Sequence, residues 1–82
     1  MDIGKAIKLC RTQKEVSRVD LAKQADMSVS YLSLLERGER EPSLSMLESI
    51  SIALNIPVSV MVFLAADKSE LESLDEDLVE KL

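Results

Sequence analysis

The decisive stretch of this sequence is residues 28–43, which read SVSYLSLLERGEREPS. Ser28 is a good N-cap residue because its hydroxyl can accept a hydrogen bond from an N–H of the first helical turn. Tyr31, Leu32 and Leu35 follow at the spacing of one helix face. The stretch therefore begins with a short helix that turns these three side chains inward.

The end of this helix and the start of the next are also indicated within residues 28–43. Gly38 can take the left-handed conformation that ends many helices, and Arg37 lies in the last turn, where the helix dipole favours a cation. After a loop at residues 39–42, Ser43 can cap another helix. The side chains expected to face inward from that helix are Leu44, Leu47, Ile50, Ala53 and Leu54.

Two helices are predicted before the decisive stretch. Ser17, with Asp20 three residues later, resembles an N-capping arrangement and predicts a helix over residues 18–25. Residues 26–27 then make a very short connection. A first amphipathic helix is predicted to run to about Gln13, with inward positions Ile3, Ala6, Ile7 and Cys10.

Two helices are also predicted after it. Asn55 and Pro57 end the fourth helix, and Ser59 is the expected cap of a short, apolar fifth helix that continues to about Ala66. Beyond it, a capping box precedes an amphipathic sixth helix with one leucine stripe, formed by Leu71, Leu74, Leu78 and Leu82. We therefore divide the chain into residues 1–66 and an acidic C-terminal helix at residues 67–82, which serves dimerisation or packs within the chain.

Composition narrows the possible functions. The chain has 82 residues, 46% hydrophobic and 30% charged, as expected for one small helical domain. Cys10 is the single cysteine and histidine is absent, so an internal disulfide, a zinc site and a histidine-activated nucleophile are excluded. We expect a cytoplasmic, non-enzymatic protein with no cofactor, no metal and no membrane segment.

The net charge of −5 has the wrong sign for a protein that binds a polyanion, but it is unevenly distributed. Residues 1–56 contain eight basic and eight acidic side chains, whereas residues 57–82 contain two basic and seven acidic ones. We therefore expect the acidic tail to lie away from any nucleic acid.

Several short motifs stand in the order of one known family. They are Leu21-Ala22, Met27-Ser28, Tyr31-Leu32-Ser33, Leu35-Glu36-Arg37-Gly38, Arg40, Pro42-Ser43, Leu47, Ile50, Ala53-Leu54 and Ile56. Through them, residues 3–64 resemble the Xre or Cro/C1-type helix-turn-helix family. The resemblance implies an all-α, five-helix, lambda-repressor-like DNA-binding domain from a bacterium, archaeon or phage, nucleoid-associated when bound. In this family the protein is usually a dimer on a two-fold operator, and transcriptional regulation is the common role.

The resemblance also implies which residues meet double-stranded DNA, with the helix at residues 28–37 as the reading helix. The direct-readout candidates are Val29, Ser30, Ser33 and Leu34. The phosphate-contact candidates are Lys14, Arg18, Tyr31, Arg37, Arg40 and Ser43. Tyr31 has a second reading, in which its ring packs against the edge of the core.

Three further positions are notable against the family pattern. The family pairs the residues at Arg11 and Glu36 across two helices, so we expect a structural ion pair there. Arg18 stands where the family usually has a glutamine that bonds a phosphate, which would replace a neutral contact by an ionic one. Asp26 stands where the family prefers a glycine with positive φ, a conformation that aspartate tolerates at some cost.

The apolar fifth helix and the tail leave alternatives open. A surface for a homodimer or for a protein partner is expected from Val60, Phe63, Leu64, Leu71, Leu74 and Leu78. The main prediction is a homodimeric repressor on a palindromic operator, and a restriction-modification controller, phage repressor or antitoxin would each fit. The alternative is a protein-interaction module that uses the fifth helix and the leucine stripe. The sequence stops within the last predicted helix, so it could also be part of a longer regulator.

Overall fold

The computed structural model describes residues 1–67, which form five α-helices and no strand. They are α1 (Ile3–Gln13), α2 (Arg18–Gln24), α3 (Val29–Glu36), α4 (Leu44–Leu54) and α5 (Val58–Ala65). This arrangement confirms the all-α, lambda-repressor-like fold for this part of the chain. The predicted sixth helix, with Leu71, Leu74, Leu78 and Leu82, lies outside the described residues.

Side-chain caps set the first residue of α1 to α4. Asp2, Ser17, Ser28 and Ser43 each accept a hydrogen bond from the N–H three residues later, at 3.0–3.2 Å. Each cap stabilises its helix by about 1 kcal/mol, because it satisfies a donor that the helix leaves unpaired. The three serine caps confirm the helix starts predicted from the sequence.

The predicted start of α5 at a Ser59 cap is wrong. The N-cap is Pro57, two residues earlier than predicted, so the helix begins at Val58, and Pro57 makes no side-chain hydrogen bond. The Pro57 carbonyl accepts from the N–H groups of Val60 and Met61, at 3.0 and 3.2 Å. Proline has a fixed φ and no N–H to satisfy, so the chain can turn directly into the helix after it.

The turn before α5 separates it sharply from α4. The two helices meet at 108°. Within residues 1–67, no single helix is long and apolar enough to cross a membrane, and this bent pair passes by length and composition only.

α1 to α4 all end in the same type of turn. The residue after each C-cap has a positive φ: Glu15 (58°), Asp26 (57°) and Gly38 (76°), while Asn55 (55°) takes that role at the end of α4. The N–H of the next residue donates to the carbonyl five positions earlier at 2.9–3.1 Å, in the pairs Val16–Arg11, Met27–Ala22, Glu39–Leu34 and Ile56–Ser51. This is the Schellman pattern, which satisfies carbonyls at a helix end. The left-handed Asp26 and Gly38 confirm the sequence predictions.

The core lies where α1 packs against α3 and α5, with α2 and α4 closing its sides. Its largest fully buried side chains are Ile7, Leu21, Leu32, Leu35, Ile50 and Met61. Cys10 also lies in this core, as predicted, and burial raises the pKa of its thiol. The aliphatic composition of the core accounts for the near absence of aromatic residues.

The inward face predicted for α4 is wrong at its first position. Leu44 is 67% exposed, because it lies one turn before Leu47, beyond the edge of the core. Ser51 is buried instead, and its hydroxyl donates to the Ile56 carbonyl at 2.6 Å. A polar side chain is accepted there because the hydrogen bond satisfies it.

Gly4 sets how closely α1 approaches α3. A Cβ at this position would lie 2.1 Å from the Leu35 carbonyl oxygen and 3.0 Å from that of Glu36. The start of α1 therefore lies directly against the last turn of α3. The neighbouring Asp2 N–H donates to the Ala65 carbonyl at 2.8 Å, which ties the same end of α1 to the end of α5.

Candidate nucleic-acid interface

α2 and α3 form two short helices joined by a tight turn. Residues 25–28 connect them, with the left-handed Asp26 at the bend and Met27 half-buried against the core. Leu21 and Leu32 are fully buried, so both helices are anchored from one side. This arrangement leaves the opposite side of α3 facing outward.

The outward side of α3 contains the four predicted readout residues. Val29 is 39% exposed, Ser30 is exposed, and Ser33 and Leu34 are half-buried. Among residues 1–67, neither serine hydroxyl has a hydrogen-bond partner. The surface is small, uncharged and mixed in polarity. Hydroxyls can donate to or accept from base edges, and the aliphatic groups suit a thymine methyl.

A buried ion-pair network lies at the end of α3. Arg11 donates to the Glu36 carboxylate through Nε at 2.7 Å and Nη2 at 3.1 Å, and through Nη1 to the Val16 carbonyl at 3.0 Å. Arg18 Nε donates to the same carboxylate at 3.0 Å. The network joins α1, the first turn of α2 and the last turn of α3.

The loop after α3 carries two exposed arginines. Arg37 pairs with Glu39 through its Nε, and both side chains are exposed. The guanidinium of Arg40 lies over the ring of Tyr31, with its carbon 5.8 Å from the ring centroid. A guanidinium within about 6 Å of an aromatic ring is attracted to its face. Tyr31, itself half-buried, thus links the loop to the first turn of α3.

The remaining two phosphate candidates lie at helix ends. Ser43 caps α4, with its hydroxyl oxygen also 3.2 Å from that of Ser45. The N-terminus of a helix presents free N–H groups and a positive dipole end to an anion. Lys14 is the exposed C-cap residue of α1.

A second surface, the α1–α5 groove, is apolar. It has a volume of about 510 Å³ and contains Val60 and Leu64 of the predicted partner surface. Its other lining residues are Leu9, Cys10, Gln13, Asn55, Ile56 and Pro57. Phe63, on the same helix, is 62% exposed. The predicted partner residues Leu71, Leu74 and Leu78 lie outside the described residues.

Sequence reasoning missed two contacts at this site. It assigned Arg18 to phosphate alone, whereas the structure places its Nε on Glu36. It also treated Tyr31 and Arg40 separately, although they stack. The sequence held no local signal for the first contact, because Arg18 and Glu36 lie 18 positions apart. The second depends on loop geometry, for which the sequence held no signal.

Comparison with known proteins places these features in context. A family model described as helix-turn-helix matches residues 7–61. The chain is 36% identical over 85 residues to the immunity repressor protein of Bacillus phage phi105, covering 99% of this chain and 59% of the repressor. The chain spans roughly half to three-fifths of the length of the curated relatives it matches first.

Solved structures give the same result. The crystal structure of the clp gene regulator ClgR from Corynebacterium glutamicum has a TM-score of 0.80 and 36% identity, covering 99% of this chain and 86% of that one. The crystal structure of SinR, a master regulator for biofilm formation, in complex with DNA has a TM-score of 0.69 and 38% identity. That match covers 73% of this chain and 97% of the SinR chain.

Proposed function

The chain belongs to the helix-turn-helix family of the Xre and Cro/C1 type, and on that premise we propose that it is a transcriptional regulator that binds double-stranded DNA with α3 in the major groove. The observation that carries the proposal is the outer side of α3, where Val29, Ser30 and Ser33 are accessible on a helix anchored from behind by the core. The similarity to a phage repressor and to the DNA-bound SinR structure supports it.

In this proposal, one group of residues contacts the bases and a second group contacts the DNA backbone. The side chains of Ser30 and Val29 read base edges, which gives sequence preference. Arg40 and Ser43 hold the DNA backbone, together with Lys14, which fixes register without carrying sequence information. The Tyr31 ring beneath the Arg40 guanidinium limits the positions that this cation can take.

We further propose that the protein acts as a homodimeric repressor on a palindromic operator. Two copies related by a two-fold axis would place their reading helices about 34 Å apart, one turn of the duplex. The exposed apolar side chains of α5, Val60, Phe63 and Leu64, supply the surface that such a dimer would bury. Bound at a promoter, the dimer would repress by occlusion.

Selection of bound duplexes from a random DNA pool, at two salt concentrations, tests this function. We expect an enriched palindrome. Arg40→Ala should weaken binding to all sequences alike, whereas Ser30→Ala should change the preferred bases. Binding should weaken steeply with salt, because phosphate contacts release counterions.

Two outcomes would contradict the proposal. One is a pool without enrichment from a folded protein, and the other is a pair of variants with unchanged affinity and preference. Either result would point to the α1–α5 groove as a site for a protein partner, because most of the residues that line that groove are apolar. An apolar partner interface would depend little on salt.

A further inference from the structure

The Glu36 carboxylate is shared by two guanidinium groups of different exposure. It accepts two N–H groups from Arg11 and one, at 3.0 Å, from Arg18. The side chains of Glu36 and Arg11 are 2% and 9% exposed, whereas that of Arg18 is 44% exposed. The inner pair is therefore part of the core, and Arg18 closes the network at the surface.

The charges of this network do not cancel. Two guanidinium groups face one carboxylate, so one positive charge is in excess, and it lies on the solvent side because Arg18 is the exposed member. A guanidinium has five N–H donors in a rigid plane, and only the Arg18 Nε is used by Glu36. Its two terminal nitrogens have no hydrogen-bond partner within residues 1–67.

We propose that Glu36 is a positioning residue for DNA binding, which holds Arg18 by its Nε so that the terminal N–H groups meet a backbone phosphate beside the first turn of α2. This inference rests on the proposed function and adds to it the positioning of Arg18 by Glu36. A long side chain normally loses conformational freedom when it binds, and a side chain already held in place loses less. Because Glu36 is the last residue of α3, the phosphate contact is also fixed relative to the reading helix.

The exchange of Arg18 for lysine or methionine tests the inference. The probe is a short, fluorescently labelled duplex of fixed arbitrary sequence, with anisotropy measured over a salt series, because sequence-independent affinity comes from phosphate contacts. We expect Arg18→Lys and Arg18→Met to weaken binding to a similar extent, each by about fivefold, with a fall of about 0.9 in the log–log salt slope for each lost contact. Lysine keeps the charge, but one ammonium cannot be held by Glu36 and reach a phosphate in the fork geometry of arginine.

Lys8→Met is the matched control. It removes one charge from an exposed position of α1 that belongs to none of the predicted contacts. We expect a change in affinity of about twofold or less, because a distant surface charge is screened by salt. A larger loss in this control than in Arg18→Met would mean that net charge, not a placed guanidinium, sets the affinity, and would overturn the inference.

Glu36→Gln tests the positioning step itself. The amide removes the charge that holds Arg18, so we expect a loss of about fivefold, because the Arg18 side chain must then be ordered on binding. The salt slope should stay near that of the wild type, because Arg18 keeps its charge. The double variant should bind no more weakly than either single one. Binding is measured at a temperature where far-ultraviolet circular dichroism shows full helicity, and the Lys and Met variants at Arg18 carry the test if Glu36→Gln does not fold.

A structural role alone would give a different pattern. The variants would then melt at lower temperature but keep the wild-type affinity and salt slope when folded, which would overturn the inference. Arg40→Ala separates this failure from failure of the proposed function. If wild type binds and Arg40→Ala weakens it while the Arg18 variants bind normally, only the inference is wrong. If wild type does not bind the duplex, the proposed function is wrong as well.

Discussion

The end of α3 and the α1–α5 groove differ in the kind of contact that fixes their residues in place. At the end of α3, a backbone approach at Gly4, a shared buried carboxylate and a left-handed glycine turn all fix the same few residues. In the groove, most of the lining side chains are apolar, and α5 begins without a side-chain cap. The first region is determined by directional contacts and the second by non-directional ones.

This difference indicates which region of the molecule must be positioned precisely. In the proposed function, α3 must keep its position to within a fraction of a hydrogen-bond length, and directional contacts provide that. An apolar surface that meets a partner gains most of its free energy from buried area, which tolerates small shifts. We therefore expect substitutions at the end of α3 to cost far more than substitutions on the exposed side of α5.

The largest effect is expected for Gly4→Ala. The added methyl group would collide with the Leu35 carbonyl oxygen, so the first turn of α1 must move away from α3. We expect a loss of about 3 kcal/mol or more in the free energy of unfolding, measured by urea denaturation. Gly38→Ala is the matched control: a Cβ added there would have no neighbour within 4 Å, so only the cost of φ 76°, about 1 kcal/mol, should appear. Equal losses in both would contradict the close approach.

The next effect concerns the ion-pair network. Arg11→Met removes the buried guanidinium and leaves Glu36 with one partner, for which we expect a loss of about 3 kcal/mol. Arg18→Met should cost about 1 kcal/mol or less, because that side chain is half-exposed and its interaction with Glu36 is screened by solvent. Urea denaturation of both variants checks the ranking. A larger loss for Arg18→Met would show that the outer arginine carries the stability of the network.

Most of the fold could be predicted from the sequence, because the signals that set it are local. Serine caps and apolar spacing gave four helices with nearly correct bounds, and Gly38 marked the end of α3. The Schellman turns at the helix ends could be predicted only in part. Glutamate has no preference for a positive φ, so the turn at Glu15 could not be predicted from the sequence. The predicted start of α5 is two residues late, because Ser59 is of a residue type that caps helices with its side chain and Pro57 is not.

The candidate site was predictable to a smaller extent. The residues on the outer side of α3 follow from its helical period, so their exposure could be expected. The role of Arg18 could not, because its contact with Glu36 depends on how α2 meets α3 across 18 positions of sequence. The stacking of Arg40 on Tyr31 depends in the same way on the path of the loop between α3 and α4.

A smaller, stabilising effect is expected for Glu15→Gly. Glutamate at φ 58° has the steric cost of the left-handed region, which glycine does not, and no hydrogen bond that closes the turn between α1 and α2 uses the Glu15 side chain. We expect a gain of about 1 kcal/mol in the free energy of unfolding. Asp26→Gly should gain less, because aspartate tolerates this conformation better. If thermal melting shows the greater gain at Asp26, the strain lies between α2 and α3 instead.

The smallest effect on stability is expected for Phe63→Ser, which lies on α5, the helix that borders the groove. The ring is 62% exposed, so its removal should change the free energy of unfolding of one chain by about 0.5 kcal/mol or less. The same change should shift sedimentation toward the monomer, because an exposed apolar side chain on α5 contributes to the proposed dimer. Ile52→Ser is the control, since Ile52 is 80% exposed on α4 and outside the proposed surface. Unchanged sedimentation of Phe63→Ser, or an equal shift for Ile52→Ser, would mean that the exposed side of α5 is not the surface of the proposed dimer.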